Sequence, residues 1–269
     1  PRRAASRRLA RERAVVPALA KKQKIKNEAF APELCVVRDA PPPGDDWLHE
    51  IKWDGYRLLA TVVGGKVRLW SRNAIEWTHK VPELAAAVAA LGFDEAQLDG
   101  EMIVVDDGVV DFNALQGRLS AESAVPVTYM LFDLPHADGR SLRGVPLIER
   151  KAILAQRLGA HPQAALRYSE HHVGGGRAMF AEARKAGYEG IVSKRVDSGY
   201  SGQRGGDWVK VKQRASDEFV VIGYTEPKGS RAGFGALLLA RRERGGLVYA
   251  GRVGTGFDAT LLRELRQML

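Results

Sequence analysis

The densest run of side chains able to do chemistry is His49-Glu50-Ile51-Lys52-Trp53-Asp54-Gly55-Tyr56-Arg57. A lysine flanked by carboxylates ordinarily forms a surface ion pair. Here its neighbours Trp47, Ile51, Trp53, Tyr56 and Leu58 are aromatic or apolar. Partial burial beside other cations favours the neutral amine and makes it a nucleophile. Gly55, directly after Asp54, lets the backbone approach a ligand closely. Similar charge placement recurs near other strands. Asp99-Gly100-Glu101 precedes a hairpin strand, and Glu189 and Lys194 bracket the run Gly190-Ile191-Val192-Ser193. In Trp208-Val209-Lys210-Val211-Lys212, alternation puts both lysines on one face and both valines on the other, which suits phosphate binding. Each run alone is also what an ordinary strand with a charged outer face looks like.

These residues need elements to hold them. Leu58–Val63 and Lys66–Trp70 flank Gly64-Gly65, the spacing of a tight hairpin. A second hairpin is expected from Met102–Val105 and Val109–Phe112 around Asp106-Asp107-Gly108, and a buried strand from Thr128–Asp133. Pro82 opens an alanine-rich helix that stops at Gly92. Further helices are expected over Ile148–Leu158, stopped by Gly159, and Arg177–Ala186, stopped by Gly187. Strands follow at Gly190–Lys194 and Trp208–Lys212, with a polar, glycine-rich loop from Asp197 to Gly206 between them. Beyond Lys212, Glu218–Tyr224, Gly235–Arg241 and Leu247–Val253 form strands, and Asp258 caps a helix to Met268. Hairpins mixed with separate helices predict an α+β fold rather than a doubly wound parallel sheet.

The chain has 269 residues, 45% of them hydrophobic, enough for a substantial core. That composition excludes a disordered or collagenous chain. The single cysteine, Cys35, excludes an internal disulfide and a multi-cysteine zinc cluster and suits a reducing, cytoplasmic setting. No apolar run reaches the roughly 18 residues of a membrane span. Of the net charge of +9, residues 1–28 hold +8, from six Arg and four Lys against Glu12 and Glu28, leaving +1 for residues 29–269. Residues 1–29 are therefore a basic arm or inter-module linker, able to track phosphates with a steep dependence on salt. The chain begins at Pro1 rather than Met, as a segment of a longer polypeptide would.

Order and combination add more than any single run. Lys52-Trp53-Asp54-Gly55-Tyr56-Arg57, Ser71-Arg72-Asn73, Asp99-Gly100-Glu101, Tyr129-Met130-Leu131-Phe132-Asp133, Glu189 to Lys194 and Trp208 to Lys212 resemble the motif series of the covalent nucleotidyltransferases. That superfamily comprises ATP-dependent DNA ligases, RNA ligases and messenger-RNA capping enzymes. The resemblance covers roughly residues 30–269. The flanking text, such as Leu69-Trp70-Ser71-Arg72-Asn73 and Gly251-Arg252-Val253-Gly254-Thr255-Gly256-Phe257, is most similar to the ligase module of bacterial ligase D, an enzyme of non-homologous end joining.

The resemblance implies an α+β, ATP-grasp-like adenylation domain over residues 30–213, with antiparallel sheets enclosing the nucleotide, and a partial OB-fold barrel over 214–269. It implies that Lys52 attacks the α-phosphate of ATP, that the AMP passes to a 5′-phosphate, and that a 3′-hydroxyl seals the strand. Lys210 and Lys212 would hold the α-phosphate. Glu189, and less directly Asp54, would ligate Mg2+ or Mn2+. Phe132 would stack on adenine, while Glu50, beside the Ile51 backbone, would accept from its amine. Arg57 and Glu101 would contact the ribose, and Arg72 the nick phosphate. Lys194 would serve DNA or nucleotide phosphates, with a salt bridge to Asp197 as the alternative.

Nicked or broken double-stranded DNA is the implied partner, with a Ku-type end-binding protein, fused polymerase and nuclease modules and a place in the bacterial cytoplasm at the nucleoid. An NAD-dependent ligase is opposed by Arg57 and by the lone cysteine. A GTP-using capping enzyme is opposed by Trp208-Val209-Lys210 and by Glu50, since guanine presents a carbonyl where adenine presents an amine. An RNA ligase, or a weak DNA-end-binding module, remains the alternative. The family's last motif, a basic segment late in the OB domain, is not found, so poor self-charging is expected.

Overall fold

Along Tyr56–Val63, Leu58, Ala60 and Val62 point to one side and are fully buried, while Arg57 points to the other. That two-residue period is the local cause of the architecture. The structure, a computed structural model, describes residues 20–106, 108–120, 124–213, 218–227, 229 and 233–269. Residues 1–19 of the expected basic arm lie outside the described residues. The chain divides into two compact units after Gln213.

In chain order the first unit begins with strands β1 (Lys21–Lys22), β2 (Val36–Val37), β3 (Trp47–Ile51), β4 (Tyr56–Val63) and β5 (Lys66–Ser71), then helix α1 (Pro82–Ala89). Next come β6 (Glu95–Ile103), β7 (Val105–Asp106), β8 (Val109–Val110), α2 (Phe112–Leu119), β9 (Thr128–Ala137), β10 (Arg140–Ser141) and α3 (Leu147–Ala160). It closes with β11 (Leu166–Tyr168), β12 (His171–Val173), α4 (Gly176–Lys185), β13 (Gly190–Arg195) and β14 (Trp208–Lys212).

Two sheets result. The larger runs β1-β10-β9-β6-β4-β5, with β11 parallel to β9. The smaller runs β12-β3-β13-β14-β2, antiparallel except between β14 and β2. One face of the larger sheet packs Leu58, Leu69, Leu98 and Leu131 against α1 and α3 residues such as Leu84, Val88 and Leu154. Each fully buried side chain of this size stabilises the fold by about 1.5–3 kcal/mol. One face of the smaller sheet packs Ile191, Val209 and Val211 against Ala183 of α4. The opposite faces supply the cavity described below.

Several expectations are corrected. Met102 and Ile103 end the central strand β6 instead of starting a hairpin; only the short β7–β8 pair remains of that hairpin. Phe112 opens a helix, whose first turn is capped by Asp111 accepting from the Ala114 N–H at 2.9 Å. Gly159 lies inside α3 and does not stop it. Gly55 lines the cavity described below, and the neighbouring strand also requires its missing side chain, since a Cβ there would collide with the Met102 carbonyl. Residues 20–28, counted with the arm from sequence, are held on the sheet. Ala20 is buried, Lys21–Lys22 pair with β10, and Thr61 donates to the Glu28 carbonyl at 2.9 Å.

The second unit contains β15 (Val220–Tyr224), β16 (Leu237–Glu243), β17 (Gly246–Val253) and α5 (Ala259–Met268). Its three strands form an antiparallel sheet over a small core of Phe234, Leu237 and Leu262. Asp258 caps α5, as expected, by accepting from the N–H groups of Thr260 and Leu261.

Candidate active site

Lys52 leaves the end of β3 with its N–H still bonded to the Gly190 carbonyl at 3.0 Å. Its ammonium donates to Glu189 Oε2, and Lys212 Nζ lies 2.6 Å from Glu189 Oε1. Burial alone would raise the Glu189 carboxyl, but the hydrogen bonds from Lys212 and Lys52 hold it below its ordinary value. The antiparallel register sets Val192 opposite both Glu50 and Lys210, and Lys194 opposite Trp208. Glu50, Val192, Lys194, Trp208 and Lys210 therefore form one wall of a cavity of about 530 Å3. Burial, with Lys212 and Lys52 nearby, pushes the Lys210 ammonium down.

The larger sheet forms the facing wall with Tyr56, Arg57, Ser71, Glu101 and Phe132. Arg57 grips Asp99 with two bonds, at 2.5 and 2.6 Å, and donates to the Glu33 carbonyl at 3.2 Å. Tyr200 donates to the same Asp99 at 2.6 Å. The Arg57 guanidinium also lies 4.7 Å from the centre of the Phe132 ring, fixing that ring from one side. Phe132 meets Trp208 edge-on at 5.8 Å. Arg72 is exposed at the rim. Burial raises the Glu101 carboxyl to about 7, against the pull of Arg57 and Lys52.

Beneath the cavity lies a buried cluster. Glu50 Oε1 is 2.9 Å from both Lys151 and Lys194, and Oε2 accepts from Ser169 Oγ at 2.9 Å. Adjacent on α3, Arg150 holds Asp133 with two bonds of 2.8 Å and also bonds the carbonyls of Val145 and Ser198. Breaking one partner of such a buried pair costs about 3–5 kcal/mol.

Nine of the residues singled out from sequence thus share the cavity: Glu50, Ile51, Lys52, Arg57, Arg72, Glu101, Phe132, Lys194 and Lys210. Glu189 joins through Lys52 and Lys212 through Glu189, whereas Asp54 is exposed and off the wall. Lys194 is corrected as a DNA contact: it is 1% exposed and paired with Glu50. The alternative bridge to Asp197 is made by Arg195 instead.

Comparison with known proteins matches residues 17–212 to the family described as ATP dependent DNA ligase domain, and 230–269 to the ATP dependent DNA ligase C terminal region. The chain belongs to the ATP-dependent DNA ligase family. It is 44% identical over 246 residues to the multifunctional non-homologous end joining protein LigD of Pseudomonas aeruginosa, covering 90% of this chain and 29% of that protein. LigD of Mycobacterium tuberculosis is 39% identical over 226 residues, covering 83% of this chain and again 29% of the relative. The chain thus spans about three-tenths of the length of these curated relatives. Among solved structures, mycobacterial DNA ligase D complexed with ATP and MES is 37% identical, with a TM-score of 0.64, covering 89% of this chain and 77% of that one. Chlorella virus DNA ligase–adenylate, 20% identical with a TM-score of 0.51, shares the fold.

In this ligase-family chain no three His, Cys, Asp or Glu side chains gather to hold a metal ion among the described residues. Glu189 stands beside Lys52, a single carboxylate in contact that suits a hard cation bound mainly through phosphate and water oxygens. Sequence reasoning did not assign Asp99, Ser169, Tyr200 or Lys151. Asp99 sits in the ligase-like Asp-Gly-Glu run, two residues before Glu101 and so on the same strand face. The other three give no local signal, because what matters is a pairing across distant sequence.

Proposed function

We propose that this chain catalyses ATP-dependent nucleotidyl transfer through Lys52 and thereby seals DNA strand breaks. The observation that carries the reading is that Lys52 opens into the same cavity as Lys210, Arg57 and Phe132, with Glu189 at its amine. Phe132, whose ring is flanked by Arg57, Lys194 and Trp208, is the aromatic surface proposed for the base. Lys210 offers the α-phosphate a cation on the face of β14 that lines the cavity. Attack requires the Lys52 amine to break its bond to the Glu189 carboxylate and to pass a proton to solvent in the open cavity.

Its lone pair then forms a bond to the α-phosphorus as the bond to the bridging oxygen breaks and pyrophosphate departs. An oxygen of a 5′-phosphate next attacks the lysine-bound phosphorus and the P–N bond breaks. The 3′-hydroxyl finally attacks the 5′-phosphorus and AMP leaves. These are substitutions at phosphorus, so positioning and charge neutralisation supply most of the catalysis. Mg2+ or Mn2+, held by Glu189 together with phosphate and water, supplies charge neutralisation when bound. Arg72, exposed at the rim, is the group proposed to reach the nick phosphate, with Arg57 and Glu101 at the ribose.

The names of these relatives, multifunctional proteins of non-homologous end joining, support a setting at broken double-stranded DNA in bacteria. A Ku-type partner, fused polymerase and nuclease modules and a cytoplasmic, nucleoid location belong to the same proposal. Among the described residues no helix is long and apolar enough to cross a membrane. Mass spectrometry after incubation with Mg2+ and either ATP or GTP tests the reading. A gain of one AMP, absent in Lys52→Ala, is expected. Because poor self-charging is expected, the incubation is long and the protein concentrated; a GMP adduct, an adduct retained by Lys52→Ala, or no adduct even then would overturn the reading.

A further inference from the structure

Lys151 is fully buried on α3, behind the cavity wall, and the proposed chemistry leaves it without a role. Burying a lysine is costly unless its charge is matched. Its Nζ lies 2.9 Å from Glu50 Oε1, donates to the Ser169 carbonyl at 3.0 Å, and lies 4.5 Å from the centre of the Tyr168 ring. Lys194 meets the same carboxylate oxygen from the opposite strand, and Ser169 Oγ occupies the other. Ser169 is itself fixed, since its Oγ accepts from Trp53 Nε1 at 3.0 Å. A carboxylate offers roughly four lone-pair sites. Lys151, Lys194 and Ser169 take three, which leaves one acceptor site on a residue that lines the cavity.

Two cations on one oxygen hold Glu50 below the ordinary carboxylate range although burial alone would raise it. A carboxylate so held accepts and does not donate. Facing a purine, it attracts an exocyclic amine and repels a carbonyl.

We propose that Lys151 is a positioning residue that holds the Glu50 carboxylate as the acceptor for the 6-amino group of the base and thereby sets the preference for an adenine nucleotide. The proposal rests on the nucleotide reading above and adds the residue responsible for base choice. Without Lys151, Glu50 keeps Lys194 and Ser169, swings toward Lys194 or takes up a proton, and the base amine loses its partner. A site built to bond an N–H discriminates strongly against the analogue that lacks it.

The test measures equilibrium binding of ATP, GTP and purine riboside triphosphate, which lacks the 6-amino group, to the whole chain. The wild-type chain is expected to favour ATP over the purine analogue by ~100-fold. If it binds no nucleotide, the nucleotide reading fails; if it binds both equally, base recognition by Glu50 fails. Lys151→Met is expected to bring the preference below ~10-fold by weakening ATP and leaving the analogue unchanged. Lys151→Arg, which keeps the charge, is expected to retain the preference. Equal weakening of both ligands, or no change in either, would overturn the proposal, because a purely structural lysine does not distinguish them. Should Lys151→Met lose its melting transition, Lys151→Gln is read in the same way. Unfolding of both neutral variants would make the lysine a core-holding group and overturn the base-choice role.

Discussion

Glu101 stands on the cavity wall opposite Arg57 in the β4–β6 register, and its carboxyl titrates near 7 because burial outweighs the attraction of Arg57 and Lys52. In the unfolded chain the same group titrates near its ordinary value of 4.5. Between those values the folded chain keeps a proton that the unfolded chain has released. Its contribution is therefore most favourable below pH 4.5, falls as pH rises toward 7, and is constant above. Glu101→Gln is expected to abolish this slope. Denaturant melts between pH 4.5 and 8 should show the wild type losing about 2 kcal/mol relative to the variant, once solvent in the open cavity is allowed for. Parallel profiles for the two chains would show that the carboxyl stays ionised in the fold. The same protonation gives the proposed ribose contact a donor below neutrality and an additional negative charge above it.

At the scale of elements, helix α2 depends on its first turn. Its sequence has Gly117 in the interior and fully buries Leu115, with Phe112, Ala114 and Leu119 only partly packed on the core, so the Asp111 cap adds materially to its stability. Asp111→Ala is expected to cost about 1 kcal/mol in an equilibrium melt, whereas an exposed substitution such as Asn113→Ala should cost less. That weakness also explains why the helix was not legible in the sequence. Strand β6 was hidden for a different reason: Asp99-Gly100 carries the signal of a turn. The glycine is instead required inside a strand, because a Cβ there would meet the Tyr129 ring and the Met130 carbonyl. Period-two alternation made β4, β5 and β14 legible, and the ordered motifs located Lys52, Arg57, Phe132 and Lys210. Asp99, Lys151 and Ser169 were not, since each acts through a partner brought near only by folding.

For the whole molecule, charge is distributed very unevenly. Residues 1–28 carry +8 of the +9, so any DNA affinity of the remainder must come from local placement, as at Arg72. Removing residues 1–19, which hold six Arg and Glu12, is expected to flatten the dependence of DNA affinity on salt. The logarithmic slope should fall by about 0.9 for every phosphate the arm neutralises. Formation of the lysine–AMP adduct should be unaffected; loss of both would tie the arm to the cavity. Another consequence concerns the neighbouring residues Arg150 and Lys151 on α3. Arg150 fastens Asp133, on a strand of the larger sheet, while Lys151 fastens Glu50, on a strand of the smaller. One helical turn therefore couples the two walls, and neither can breathe alone without stripping a buried ion pair. Amide protons along β3 and β9 should exchange with deuterium at matched opening free energies, as a single cooperative unit, while those of β7 and β8 exchange far sooner.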